Sequence, residues 1–182
     1  MMYILLRYKR RVEWFALNQL REMYITSGRE GESVLDADLR RFLFESGIDY
    51  PFSQPASPHG KADIVANLET DDPLVLEVKV WDSDKGYKED RLRDGLRQVM
   101  DYATKYGKDK GYIVLFNLDE QPISFTSQQN NGEWPPRIEY GGKTYFFMDV
   151  HIADITKPIS QQDKGKPVQT TKVDLANLLA AT

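Results

Sequence analysis

Glu77 and Lys79 stand two residues apart in a run that is otherwise apolar, PLVLEVKVW over residues 73–81. Side chains on a strand alternate between faces, so this pair shares a side with Val75 and Trp81, while Leu74, Leu76, Val78 and Val80 take the other. Two charges on one face of so apolar a strand must meet water, a cleft or a metal ion. The preceding run, ADIVANL over 62–68, puts Asp63 on one face with Val65 and Asn67. A hairpin turning near residues 70 to 71 sets Asp63 opposite Glu77 or Lys79, and either register gathers all three side chains within about 5 to 8 Å. Two carboxylates and an ammonium so placed suit metal-assisted hydrolysis of a phosphodiester. Mg²⁺ takes one or two carboxylates and leaves its other positions to water and phosphate oxygens. It acidifies a bound water and offsets charge developing on phosphorus oxygens. A lysine beside it can orient the water, stabilise the transition state or act as a base.

The elements that must hold these residues are legible around them. Between about Lys88 and Lys105 a helix carries Leu92, Leu96, Val99, Met100 and Ala103 on its core stripe. Gln98 and Tyr102, four residues apart, sit one above the other on its other flank, where an amide and a phenol could reach a metal or substrate; a solvated Gln98 and a half-buried Tyr102 are the plainer alternative. Lys85, Lys88, Arg91, Arg93 and Arg97 cluster in the same stretch. They read equally as a phosphate-binding groove or, with Asp82, Asp84, Glu89, Asp90 and Asp94 interleaved, as a solvated ion-paired face.

Elsewhere, apolar spacings predict a helix from Tyr3 to about Ile25, with Leu5, Tyr8, Val12, Phe15, Ala16, Gln19, Leu20 and Met23 along one stripe. Gly28 and Gly31 break it, and a second helix follows over about Glu32 to Glu45. Residues 49–60 read as a loop, 111–117 as a strand buried on both faces, and RIEY-GG-KTYFFMDVHIADI as a hairpin with a two-residue turn. Residues 128–136 and 156–170 read as loops, and VDLANLL near the end as a short helix.

GKADIV, LVLEVKV, RQVMDY and the strand GYIVLFN together resemble the PD-(D/E)xK, or restriction-endonuclease-like, nucleases. The likeness is greatest to the RecB-like branch, which bears a Gln-x-x-x-Tyr helix after the lysine strand. It spans residues 32 to 117, and the proline usual before the first acid is Ala62 here. The resemblance implies an α/β fold with a mixed central sheet flanked by helices, to which an extra N-terminal helix and a β-rich C-terminal part are added. It implies Mg²⁺ or Mn²⁺ bound by Asp63 and Glu77, catalysis by Lys79, and support from Gln98 and Tyr102. It also implies an acid on the first core helix. Glu32 is the preferred candidate over Asp36, although either would equally favour the positive end of a helix dipole. Lys85, Lys88, Arg91 and Arg97 are the expected contacts to nucleic acid. The implied organisation is an N-terminal helix over 1–28, a nuclease core with its hairpin over 29–155, and an extension over 156–182.

The expected substrate is DNA, with RNA left open, in genome defence or DNA processing. A catalytically silent domain of the same fold, binding nucleic acid or protein, is the rival reading. Composition narrows the rest. A net charge of −4 does not suit a protein that merely coats nucleic acid. With no cysteine and two histidines, a zinc site is not expected; His59 reads as a solvated loop residue and His151 as structural. No phosphate-binding glycine loop or nucleophile elbow is present. No apolar run nears the roughly 18 to 20 residues of a membrane span, and a cytoplasmic protein is expected. The N-terminal helix is left to pack on the core, to pair with a second copy, or to join a further domain.

Overall fold

The computed structural model describes residues 1–48, 64–127, 133–153 and 169–180. Five strands form the central sheet in the order β1-β2-β3-β6-β5: β1 (Ile64–Ala66), β2 (Leu74–Trp81), β3 (Lys110–Asn117), β6 (Lys143–His151) and β5 (Arg137–Tyr140). β2, β3 and β6 run parallel, while β1 and β5 close the two edges antiparallel. The fold is therefore α/β with a mixed sheet flanked by helices. β2 and β3 are buried on both faces and, apart from Glu77 and Lys79 of β2 and the ends of β3, apolar along their length.

One face, bearing Leu74, Leu76, Val78, Val80, Tyr112, Val114 and Phe116, packs under α1 (Met2–Arg11), α2 (Leu17–Thr26) and α3 (Gly31–Glu45). The other, bearing Val75, Trp81, Ile113, Leu115, Tyr145 and Phe147, packs under α4 (Glu89–Lys105). A two-stranded parallel sheet, β4 (Ile123–Thr126) with β7 (Thr171–Asp174), and helix α5 (Leu175–Ala180) complete that second layer through Ile123, Val173, Leu175 and Leu178.

The β1–β2 register pairs Ile64 with Leu76 and Ala66 with Leu74. Asn67 ends β1 with φ at 52°, a conformation asparagine tolerates, and its carbonyl accepts the Thr70 N–H. In the β5–β6 hairpin, Gly141 and Gly142 both take positive φ, at 58° and 74°, as a two-residue turn of matching twist requires.

Two expectations need correction. The N-terminal stripe shifts by one residue after Val12, because Val12–Ala16 forms a π-helical turn that inserts an extra residue. Beyond it Ala16, Leu17, Leu20 and Tyr24 are buried, while Phe15 is 84% exposed and Gln19 points to solvent. The stripe is covered by α3 and the sheet of the same chain. In the tail, Val173 and Asp174 finish a strand and the helix begins at Leu175. The β4–β7 pair had no counterpart in the sequence reading. Of the expected loops, residues 49–60, 128–132 and 156–168 lie outside the described residues. Among the described residues, no helix is long and apolar enough to cross a membrane.

Candidate functional site

Strand alternation puts Glu77 and Lys79 on the α4 side of β2, in the middle of a strand buried along its whole length. Both are themselves buried, at 1% and 5% exposure. The Lys79 ammonium donates to Glu77 Oε1 at 2.6 Å and to the Val78 carbonyl at 3.1 Å. Removing two charges from water costs several kcal/mol per ion, and their attraction recovers that only in favourable geometry. A hydrophobic pair at these positions would pack the core at least as well, so core stability alone does not account for them.

Glu32 reaches the pair from the first turn of α3. Its Oε1 lies 3.9 Å from the Lys79 ammonium, and its Oε2 accepts from Arg91 of α4 at 2.8 Å. Charges thus alternate in a file: Glu77, Lys79, Glu32, Arg91. The Arg91 guanidinium ends it, 4.8 Å above the Tyr87 ring. A cavity of about 410 Å³ opens beside this file, lined also by Asp94, Arg97 and Gln98. Arg91, Asp94 and Gln98 recur at helical spacing, so one stripe of α4 forms its wall.

Of the residues singled out in the sequence, Glu32, Glu77, Lys79, Arg91, Arg97 and Gln98 meet at this cavity. Asp63 and His59 lie outside the described residues. Tyr102 does not line the cavity; it is buried with Leu92, Leu96 and Val99 in the core beneath α4, a correction to its placement on the open flank. Asp36 pairs with Arg40 instead. Lys85 lines a second, neighbouring cavity, and Lys88 is exposed and lines neither. His151 is structural, its ring bonded to the Asp119 carbonyl at 2.8 Å.

Gly95 was not among the candidates. A Cβ there would lie 2.8 Å from Cγ and 3.2 Å from Cε of Lys79, so the aliphatic stem of the lysine runs in the space a side chain would take. The sequence does carry a signal, since a glycine inside a strong helix costs about 1 kcal/mol against alanine and so implies close packing.

Chemically, two carboxylates at the edge of an open cavity could hold a hard divalent cation in the manner of Mg²⁺, with most positions left to water and substrate. Among the described residues no group of three or more His, Asp or Glu side chains is placed to hold a metal ion, so Glu32 and Glu77 are the two acids this cavity offers. Guanidiniums at Arg91 and Arg97 could hold an anionic substrate. Neither a protein-family model, nor a curated protein, nor a solved structure matches the chain.

Proposed function

We propose that this chain is a metal-dependent nuclease of the PD-(D/E)xK type that hydrolyses phosphodiester bonds, with DNA as its substrate. The supporting observation is the Lys79 ammonium held between the Glu77 and Glu32 carboxylates on the wall of an open cavity that Arg91 and Arg97 also line. In this reading Glu77, Glu32 and Asp63 hold Mg²⁺ or Mn²⁺, and the metal, when bound, acidifies water and offsets charge on the phosphate. Lys79 orients the attacking water and carries positive charge beside the reacting phosphorus. Its stem, confined against Gly95, keeps the ammonium in place before substrate arrives, so little reorganisation is left for the reaction itself. Gln98 offers an amide at the cavity wall to a substrate oxygen. Arg91 and Arg97 hold the phosphates that flank the reacting one.

The test is metal affinity and single-turnover cleavage of DNA on one set of proteins. Glu77→Gln should weaken Mn²⁺ binding and abolish cleavage together. Lys79→Ala should keep or raise Mn²⁺ affinity yet lose about 10²- to 10³-fold in rate. A parent that cuts no DNA in Mg²⁺ or Mn²⁺, or a Lys79→Ala variant that cuts like the parent, would overturn the assignment. The first of those outcomes would favour a silent binding domain of the same fold.

A further inference from the structure

Glu32 is divided between two cations. Its Oε2 accepts from Arg91 Nη2 at 2.8 Å, while its Oε1 stands 3.9 Å from the Lys79 ammonium, beyond hydrogen-bond reach. That ammonium is engaged by Glu77 Oε1 at 2.6 Å. The two acids of the cavity are thus kept apart by an ammonium, and one of them is turned towards a guanidinium. Resting on the reading above, we propose that the Glu32–Arg91 pair is a latch. It withholds Glu32 from the metal until a phosphate group of the substrate takes Arg91, so that metal and substrate enter together.

The position of the pair suits exchange. Glu32 lies in the first turn of α3 and Arg91 in the first turn of α4, helices on opposite faces of the sheet. Both residues line the 410 Å³ cavity and a second one of about 960 Å³ beyond them, so the pair is a partition between two openings. An anion arriving through either meets the guanidinium. The two side chains are 38% and 31% exposed. An ion pair that open to water shifts an equilibrium by about fivefold at most, so a competing ligand can displace it. The Glu77–Lys79 pair, buried in mid-strand, cannot act in this way.

Arg91 is also built to change partners. Glu32 engages it through one N–H···O bond, and the Arg91 Nε has no hydrogen-bond partner among the described residues. A phosphate takes a guanidinium through two parallel bonds, a stronger and more directional match. Beneath the guanidinium the Tyr87 ring lies 4.8 Å away. That ring is anchored, because the Tyr87 N–H and carbonyl both bond to the Asp82 backbone, at 2.9 and 2.8 Å. The guanidinium can therefore turn from Glu32 to an anion with its cation–π contact kept. Once Arg91 is occupied, Glu32 keeps a full negative charge beside Glu77, a setting that a hard divalent cation relieves. By linkage, whatever the anion adds to metal affinity the metal adds to anion affinity.

The experiment is Mn²⁺ binding, read by the electron paramagnetic resonance of free Mn²⁺, on the full chain, Arg91→Ala, Glu32→Gln and the double variant. Arg91→Ala should bind Mn²⁺ about three- to fivefold tighter than the parent, because Glu32 is released. In the Glu32→Gln background the same change should do nothing, since no carboxylate is left to release. Thymidine 3′,5′-bisphosphate should tighten Mn²⁺ binding to the parent about threefold more than to Arg91→Ala. If Glu32→Gln binds Mn²⁺ too weakly to measure, the bisphosphate comparison decides alone. An unchanged or weaker Mn²⁺ affinity in Arg91→Ala, which a mere clasp between two helices predicts, would overturn the latch. So would a gain that persists in the Glu32→Gln background, the mark of a general loss of positive charge, or equal tightening by the bisphosphate in both proteins. Each of these outcomes leaves the nuclease reading standing. Failure of all four proteins to bind Mn²⁺ sinks that reading, and the latch with it.

Discussion

Asp38 and the Glu77–Lys79 pair are both buried charge, and they are arranged in opposite ways. Asp38, 4% exposed between α1 and α3, is enclosed by donors: Arg11 at 2.8 and 3.3 Å, Arg41 at 2.9 Å and the Tyr8 hydroxyl at 3.1 Å. Burial pushes its carboxyl up, but the Arg11 and Arg41 hydrogen bonds outweigh this and hold it below the usual range. It lines neither cavity. Glu77 and Lys79 instead lie within one strand, against a helix that lacks a Cβ to make room, with one side open to a cavity. A carboxylate closed in by its donors binds elements together; a charged pair left facing a cavity is arranged to meet something else.

That contrast can be broken most forcefully at Asp38. Asp38→Ala strands the buried Tyr8 hydroxyl and removes the link between α1 and α3, so unfolding free energy should fall by on the order of 3 kcal/mol. Cleavage per folded molecule should stay at the parent level. Denaturant unfolding and active-site-normalised rates check both halves; a rate that collapses while stability holds would put Asp38 in the functional machinery.

Gly95 sharpens the other side. Gly95→Ala should cost about 1–3 kcal/mol in the parent, because the new methyl meets the stem of Lys79. In a Lys79→Ala background the same change should instead stabilise by about 0.5–1 kcal/mol, the ordinary helix gain. This double-mutant cycle needs no activity assay. Additive effects would show that the lysine does not use that space.

A third acid, Asp149, differs from Asp38 in the sign of its pH dependence. Burial, with Glu13 adding like charge, pushes the Asp149 carboxyl up to about 7 against the opposing pull of Lys9 and the Ile123 N–H. Its Oδ1 has no hydrogen-bond partner among the described residues. The folded state therefore holds this proton more tightly than the unfolded chain, whose carboxyl titrates near about 4. The stability Asp149 contributes is full below that value and is lost as pH rises towards about 7. For Asp38 the sign is reversed: its contribution is present above the ordinary value and lost as pH falls through its depressed one. Thermal unfolding of Asp149→Asn from pH 4 to 7.5 should show a flatter decline than the parent, and parallel curves would refute the shift.

What could be read in advance follows from the range of the forces involved. The face shared by Glu77 and Lys79 depends only on strand alternation within nine residues, and the Gly141–Gly142 turn only on the φ angles two residues need. Glu32 came from the resemblance, which implies an acid on the first core helix; helix periodicity alone left it level with Asp36. The π-helical turn at Val12–Ala16 was not, since nothing in VEWFA marks an extra residue, and one insertion carries Phe15 from the expected core to solvent. Tyr102 keeps helical register with Gln98, but its burial is decided by what α5 and the sheet bring to that side. The β4–β7 pairing of Ile123 with Thr171, and a cleft assembled from α2, α3, α4 and the segments that follow β2 and β3, rest on long-range packing that local patterns do not encode.

The docking of α1 also sets a timetable for the ribosome. Lys9 donates to the carbonyl of Asp149, 140 positions later, and the carboxylate of Glu13 accepts the N–H of His151. At roughly 5–20 residues per second, the helix leaves the exit tunnel on the order of ten seconds before the strand it rests on. Through that interval Leu5, Tyr8 and Val12 have no β6 to cover them, so the nascent chain presents an apolar stripe to any chaperone that scans emerging polypeptides, and α1 must wait for β6 before it can complete its final packing.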